Sequence, residues 1–287
     1  MADKETVEKL RLLANEQRIK FLTFCYQNGD GIHIGGDMSS TDILVALYNY
    51  KMNIDPADIH LPARDRFILS KGHGAAAMYM TMAMRGFYDY DEVVRTYGKT
   101  GSSFGMHPCK VNLPGVESSA GSLGHGLPIA AGFALAARAK NEQHRIYCLM
   151  GDGETCEGSV WEAAQTAASY KLGNIVGIVD RNMQLMSSFS ETEIVLEPYA
   201  DKWAAFGWNV IDVEDGNDMA QIVGALDSLP PANSDKPTCI ILHTVKGKGV
   251  SYMERQLMWH NNVMTREQYE TAMAELDAGA AGERGAN

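Results

Sequence analysis

The clearest chemical pattern in the chain is Gly151-Asp152-Gly153 followed, thirty positions later, by Asn182. The triplet ends an apolar run through Leu149-Met150, and Asn182 ends a second run, Ile175-Val176-Gly177-Ile178-Val179-Asp180-Arg181. A helix-like stretch lies between them. In a parallel sheet with right-handed crossovers, both strand ends open on the same edge, so Asp152 and Asn182 are expected to converge. A carboxylate, an amide oxygen and a nearby backbone carbonyl make a hard-oxygen set suited to Mg²⁺ or Ca²⁺. The glycines let the backbone approach a phosphate, and the new helix N-terminus favours negative charge. The chemistry expected is a diphosphate held through a divalent cation. The stretch does not match the Gly-x-Gly-x-x-Gly nucleotide turn, and the bland alternative is an ordinary strand–helix turn with an Asp cap.

Histidines next to glycines supply the second set. His73 stands in Leu69-Ser70-Lys71-Gly72-His73-Gly74, where flanking glycines free its ring to stand over a ligand at the sheet edge. His107 follows Gly105-Met106 and precedes Pro108, inside the Gly- and Pro-rich stretch 98–126. A loop of that length in a folded domain is either disordered or functional. His33 sits among the glycines of 31–36, and His260 follows Lys246-Gly247-Lys248-Gly249.

Together these stretches are similar to the thiamine-diphosphate signature, and in detail they resemble the transketolase family. Gly151-Asp152-Gly153-Glu154-Thr155-Cys156-Glu157-Gly158 stands where that family has Gly-Asp-Gly, three variable residues and Glu-Gly. Residues 115–126 resemble its Gly-Val-Glu-x-x-x-Gly-x-Leu-Gly-x-Gly. Departures are Ile32 and Ile34 around His33, and Met106 inserted before His107. The resemblance implies thiamine diphosphate and Mg²⁺, with Ca²⁺ or Mn²⁺ also accepted by this oxygen set. It places the metal on Asp152, Asn182 and the carbonyl of Gln184. The cofactor falls on His73, Gly121, Ser122, Leu123, Asp152, Gly153, Glu154, Asn182 and His260. Catalytic roles fall on His33, His73, His107, His260 and Glu157, the last joining a network across a subunit interface.

In the family, the glutamate that activates the aminopyrimidine belongs to a following pyrimidine-binding domain, which this sequence lacks. The resemblance therefore implies the N-terminal subunit of a split transketolase, moving a two-carbon ketol unit from a ketose to an aldose, each free or phosphorylated. A separate C-terminal subunit is expected, in an α2β2 assembly. A 2-oxo acid decarboxylating subunit, a deoxyxylulose-phosphate synthase and a non-catalytic cofactor-binding scaffold are the competing readings.

The elements that must position these residues can be read from periodicity. Leu10, Leu13, Ile19 and Phe24 predict an amphipathic helix over about 6–27. The stretch 31–40 reads as a turn whose serines cap a helix over 41–50. Strands are expected over 64–70, 145–150, 175–181, 208–213 and 237–244, with helices over 127–140, 158–172 and 218–229. The strand–helix alternation predicts an α/β fold, a doubly wound and mostly parallel sheet flanked by helices. One domain is expected over 1–287, with an Ala/Gly-rich tail fraying from 278 to 287. Glu157 also suits a helix start through the dipole alone, and Lys246 and Lys248 read as solvated loop lysines.

Composition narrows the setting. The 287 residues carry 25 Lys and Arg against 36 Asp and Glu, a net charge of −11, which argues against a nucleic-acid surface. The five cysteines (Cys25, Cys109, Cys148, Cys156, Cys239) are odd in number and scattered, pointing to a reducing cytoplasm. No signal-peptide pattern or membrane-length apolar run is apparent.

Overall fold

The apolar runs assemble side by side into a five-stranded sheet. In the computed structural model, which describes residues 2–282, the strands are β1 (Arg66–Leu69), β2 (Ile146–Gly151), β3 (Ile175–Arg181), β4 (Asn209–Val213) and β5 (Thr238–His243). Their spatial order is β1-β2-β3-β5-β4, and every pairing is parallel. The register sets Gly151 opposite Asp180 and Arg181 opposite His243, so three adjacent strands deliver their last residues to one edge.

Helices cover both faces: α1 (Lys4–Asn28), α2 (Ile34–Ala46), α3 (Ala75–Arg85), α4 (Tyr90–Thr96), α5 (Gly126–Ala139), α6 (Gly158–Ser169), α7 (Ser190–Glu193), α8 (Tyr199–Ala205), α9 (Met219–Asp227) and α10 (Arg266–Gly282). Strand side chains alternate between the two layers, as a period of two requires. Tyr147, Leu149, Val176, Ile178, Ile240 and Leu242 join α1, α2, α3, α9 and α10 in one apolar cluster. Cys148, Met150, Ile175, Val179, Cys239 and Ile241 join α5, α6 and α8 in the other. Burial on both faces explains why these strands read as near-continuous apolar runs.

Several expectations need correcting. The stretch 31–40 is no turn: α2 begins at Ile34, and all thirteen of its residues are buried. Its glycines serve close packing, since a Cβ at Gly35 would lie 2.8 Å from the carbonyl oxygen of Trp259. Ser39 and Ser40 cap nothing; their hydroxyls bond inside the core, to Asp180 and Gly36. The first helix buries Leu10 and Phe24 as expected, but Leu13 and Ile19 only in part. Helices α4 and α10 add to the elements expected, and the connection after β3 contains α7. Of the tail expected to fray, 278–282 continue α10 and 283–287 lie outside the described residues. No described helix is long and apolar enough to cross a membrane, and all five cysteines are free.

Candidate functional site

The carboxyl edge of the sheet holds a cavity of about 330 Å³ that gathers residues far apart in sequence. β1 passes through Ser70 and Lys71 into a single 3-10 turn, Gly72–Gly74, that carries His73. β2 delivers Asp152, Gly153 and Glu154; β3 delivers Asn182, then Gln184; the segment after β5 delivers Lys246. His33 at the start of α2, His107 with Gly121 and Leu123 from the long loop, and His260 from a late 3-10 turn complete the wall.

The imidazoles of His33, His73 and His260 form a cluster, with ring centres 5.1, 5.2 and 5.6 Å apart. Burial first, then neighbouring imidazoles and lysines, lowers their pKa values to about 4, 2 and 3 respectively. All three are neutral near pH 7, so each ring offers one donor and one acceptor. Lys246 fixes one tautomer: its Nζ lies 2.9 Å from His260 Nδ1, which must accept, leaving the proton on Nε2. Lys246 also donates to the Leu185 carbonyl at 3.0 Å, and burial draws its pKa down to about 8. The expectation that it is a solvated loop lysine is wrong, since it is 3 % exposed. Lys248 is half-buried and lies outside this cavity.

Asp152 is buried, with Oδ1 accepting from the Gly153 amide at 2.9 Å and Oδ2 from the Met183 amide at 2.9 Å and Ser190 Oγ at 3.1 Å. Burial, then the Asp180 charge, pushes its pKa up to about 6, a penalty that a bound cation would relieve. Asn182 Oδ1 accepts from the Gln184 amide at 3.2 Å. The Gln184 side chain is buried with both amide atoms unpartnered. Asp152, Asn182 and Gln184 thus line one cavity, with the Gln184 amide unsatisfied, a polar set that fits a small divalent cation. The imidazole cluster offers no rival, because among the described residues no three His, Cys, Asp or Glu side chains are arranged to hold a metal.

Glu154 lines the cavity, but its carboxylate is committed. Oε1 accepts from Ser70 Oγ and from the Gly124 amide at 2.9 Å, and Oε2 accepts from the Gly151 amide at 3.1 Å. Two expected residues do not line the cavity. Ser122 is missing from its wall while both neighbours, Gly121 and Leu123, are present. Glu157 is exposed at the start of α6, away from the cavity. Sequence reasoning missed Lys71, which is buried yet borders the cavity, and Asp180 and Arg181, buried at the end of β3. Their signal was available: charges inside otherwise apolar strand ends demand partners.

Comparison with known proteins bears on this geometry. Residues 2–277 match the family described as transketolase, thiamine diphosphate binding domain. An apulose-4-phosphate transketolase subunit from Phocaeicola vulgatus is 43% identical over 270 residues, covering 94% of this chain and 94% of its own. A 6-deoxy-6-sulfo-D-fructose transketolase subunit from a Clostridium species is 38% identical over 245 residues, or 85% of this chain and 88% of its own. Human transketolase is 33% identical over 275 residues, but these are 96% of this chain and 43% of the human protein. The crystal structure of Campylobacter jejuni transketolase superposes with a TM-score of 0.85 at 28% identity, covering 96% of this chain and 43% of that one. The chain therefore spans less than half the length of these full transketolases and nearly all of the subunit-length relatives.

Proposed function

The chain belongs to the transketolase family, as its thiamine-diphosphate-binding domain, and from that premise we propose that it is the N-terminal subunit of a split transketolase. The observation that carries the reading is the convergence of four histidines and the Asp152–Asn182–Gln184 oxygens on one cavity at the sheet edge. Asp152, Asn182 and the Gln184 carbonyl hold Mg²⁺, with Ca²⁺ or Mn²⁺ as substitutes, and through it a diphosphate. The Gly153 amide, which donates to Asp152 Oδ1 at 2.9 Å, would turn to the diphosphate, while Gly121 and Leu123 would frame the aminopyrimidine. Thiamine diphosphate supplies the electron sink that carries a two-carbon ketol unit from a ketose to an aldose. His33, His73, His107 and His260 orient sugar hydroxyls and move protons between them, a task suited to the neutral rings of His33, His73 and His260.

The carboxylates lining the cavity are Asp152 and Glu154. The first faces the cation and the second is bound to Ser70, Gly124 and Gly151; in the transketolase family the glutamate that activates the aminopyrimidine belongs to the pyrimidine-binding half, which is here assigned to a separate C-terminal subunit. Exposed Glu157 faces that partner. The assembly is α2β2 and cytoplasmic. The names of the similar subunits make apulose 4-phosphate and 6-deoxy-6-sulfo-D-fructose the first donors to assay.

The test is a ketol-transfer assay with thiamine diphosphate and Mg²⁺, on this chain alone and with the protein encoded beside it. Turnover in the mixture only supports the division of labour. Turnover by the chain alone overturns it. CO₂ release from a 2-oxo acid supports the decarboxylating readings instead, and cofactor binding without turnover on any sugar supports the scaffold.

A further inference from the structure

Beneath the cavity lies a buried ion pair with no part in the roles given above. Lys71 and Asp180, 1 % and 0 % exposed, are joined Nζ to Oδ2. The other two N–H groups of Lys71 also have partners, the Gly36 carbonyl at 2.9 Å and Ser40 Oγ at 3.3 Å. Its ammonium is thus fully used inside the protein, although it borders the cavity. Asp180 gathers three further donors: Ser39 Oγ at 2.7 Å, Thr244 Oγ1, and the side-chain amide of Asn182 at 3.0 Å.

That last contact decides how Asn182 points. An amide side chain has a donor end and an acceptor end of nearly equal shape, and its neighbours choose between them. An ionised carboxylate only accepts, so the Asn182 NH₂ must face Asp180, and the oxygen is turned the other way. The Gln184 amide, donating to Asn182 Oδ1 at 3.2 Å, agrees with this orientation. Lys71 balances the Asp180 charge, without which a bare carboxylate would stand buried one strand away from Asp152, in register with Gly151. A hydrogen bond to a metal ligand typically fixes its orientation and strengthens the site.

We propose that Asp180, balanced by Lys71, is a positioning residue that holds the Asn182 amide with its oxygen toward the cation. This rests on the reading of Asn182 as a cation ligand. The pair acts through Asn182 and touches neither cation nor cofactor.

The test titrates Mg²⁺ at fixed thiamine diphosphate into the full chain with its partner subunit, following binding by calorimetry. The variants are Asn182→Ala, Asp180→Asn, the double variant carrying both, and Lys71→Met/Asp180→Leu. The last is an apolar pair that avoids leaving one buried charge unpaired should Asp180→Asn fail to fold. Loss of Asp180 is expected to weaken Mg²⁺ binding roughly 10- to 100-fold. In the double variant, binding should be no weaker than in Asn182→Ala alone, because the route through Asn182 is already gone. A double variant weaker by the full product of the single effects, or wild-type affinity in the Asp180 variants, overturns the proposal and leaves the ligand assignment standing. Wild-type affinity in Asn182→Ala overturns the ligand assignment, and the positioning role falls with it.

Discussion

Glu154→Gln is the smallest change that tests how the cavity wall is held. The carboxylate is 3 % exposed and ties three segments together: Ser70 after β1, Gly124 from the long loop, and Gly151 at the end of β2. Both oxygens accept. Glutamine keeps the shape but replaces one acceptor with an NH₂. If its oxygen serves Ser70 and Gly124, the NH₂ faces the Gly151 N–H; if it is flipped, the NH₂ faces the Gly124 N–H. Either way a backbone donor loses its partner, which costs about 1–3 kcal/mol. Burial raises the Glu154 pKa, so removing the charge recovers part of that cost. The net expectation is a loss of about 1–2 kcal/mol, or roughly 2–3 °C in Tm for a chain of this size. Urea denaturation at pH 7 reads the loss, and hydrogen exchange at the Gly124 and Gly151 amides shows where it falls. Glu154→Ala, which strands all three donors, should cost more. A glutamine variant within about 0.5 kcal/mol of wild type, the range of a neutral surface change, with unchanged exchange at both amides, would refute the account.

Two further outcomes follow from the same geometry. A Cβ at Gly126 would lie 2.3 Å from Ser70 Cβ and Oγ and 2.8 Å from its Cα; because backbone is involved, Gly126→Ala should cost about 3 kcal/mol or more, and a thermal melt matching wild type would contradict that contact. The folded-state pKa values of His33, His73 and His260 lie below the ordinary 6.5, so the unfolded chain binds more protons there and stability falls as pH drops from about 6.5 toward 4. At pH 5 His73 alone contributes up to about 2 kcal/mol of that loss, with less from the better-solvated His33 and His260. Urea midpoints at pH 7.5 and 5 should differ less in His73→Gln than in wild type, and identical differences would rule out this source.

The parts of the site legible in the sequence are those where one residue type and its spacing suffice. Asp152 and Asn182 end successive strands, and a parallel sheet has one carboxyl edge, so their meeting followed from pattern alone. The four histidines were found through flanking glycines or a shared order along the chain, and all four line the cavity. Local signals misled where a residue served a distant neighbour. Gly35 and Ser39 looked like turn and cap, yet one admits the Trp259 backbone and the other bonds Asp180, 141 positions away. Lys246 looked like a loop lysine because nothing beside it reveals that Leu185 and His260 close over it.

By itself, then, the sequence determined the strand–helix alternation, the hard-oxygen side chains at strand ends and the set of histidines, because periodicity and strand direction are local properties that carry to the sheet edge. The tertiary structure alone decided protonation and orientation. Burial makes His33, His73 and His260 neutral, Lys246 selects the His260 tautomer, Asp180 turns the Asn182 amide, and the Glu154 carboxylate is held by the Ser70 hydroxyl and two backbone amides. Each depends on which groups share a low-dielectric space, and that is set by contacts between residues far apart in the chain.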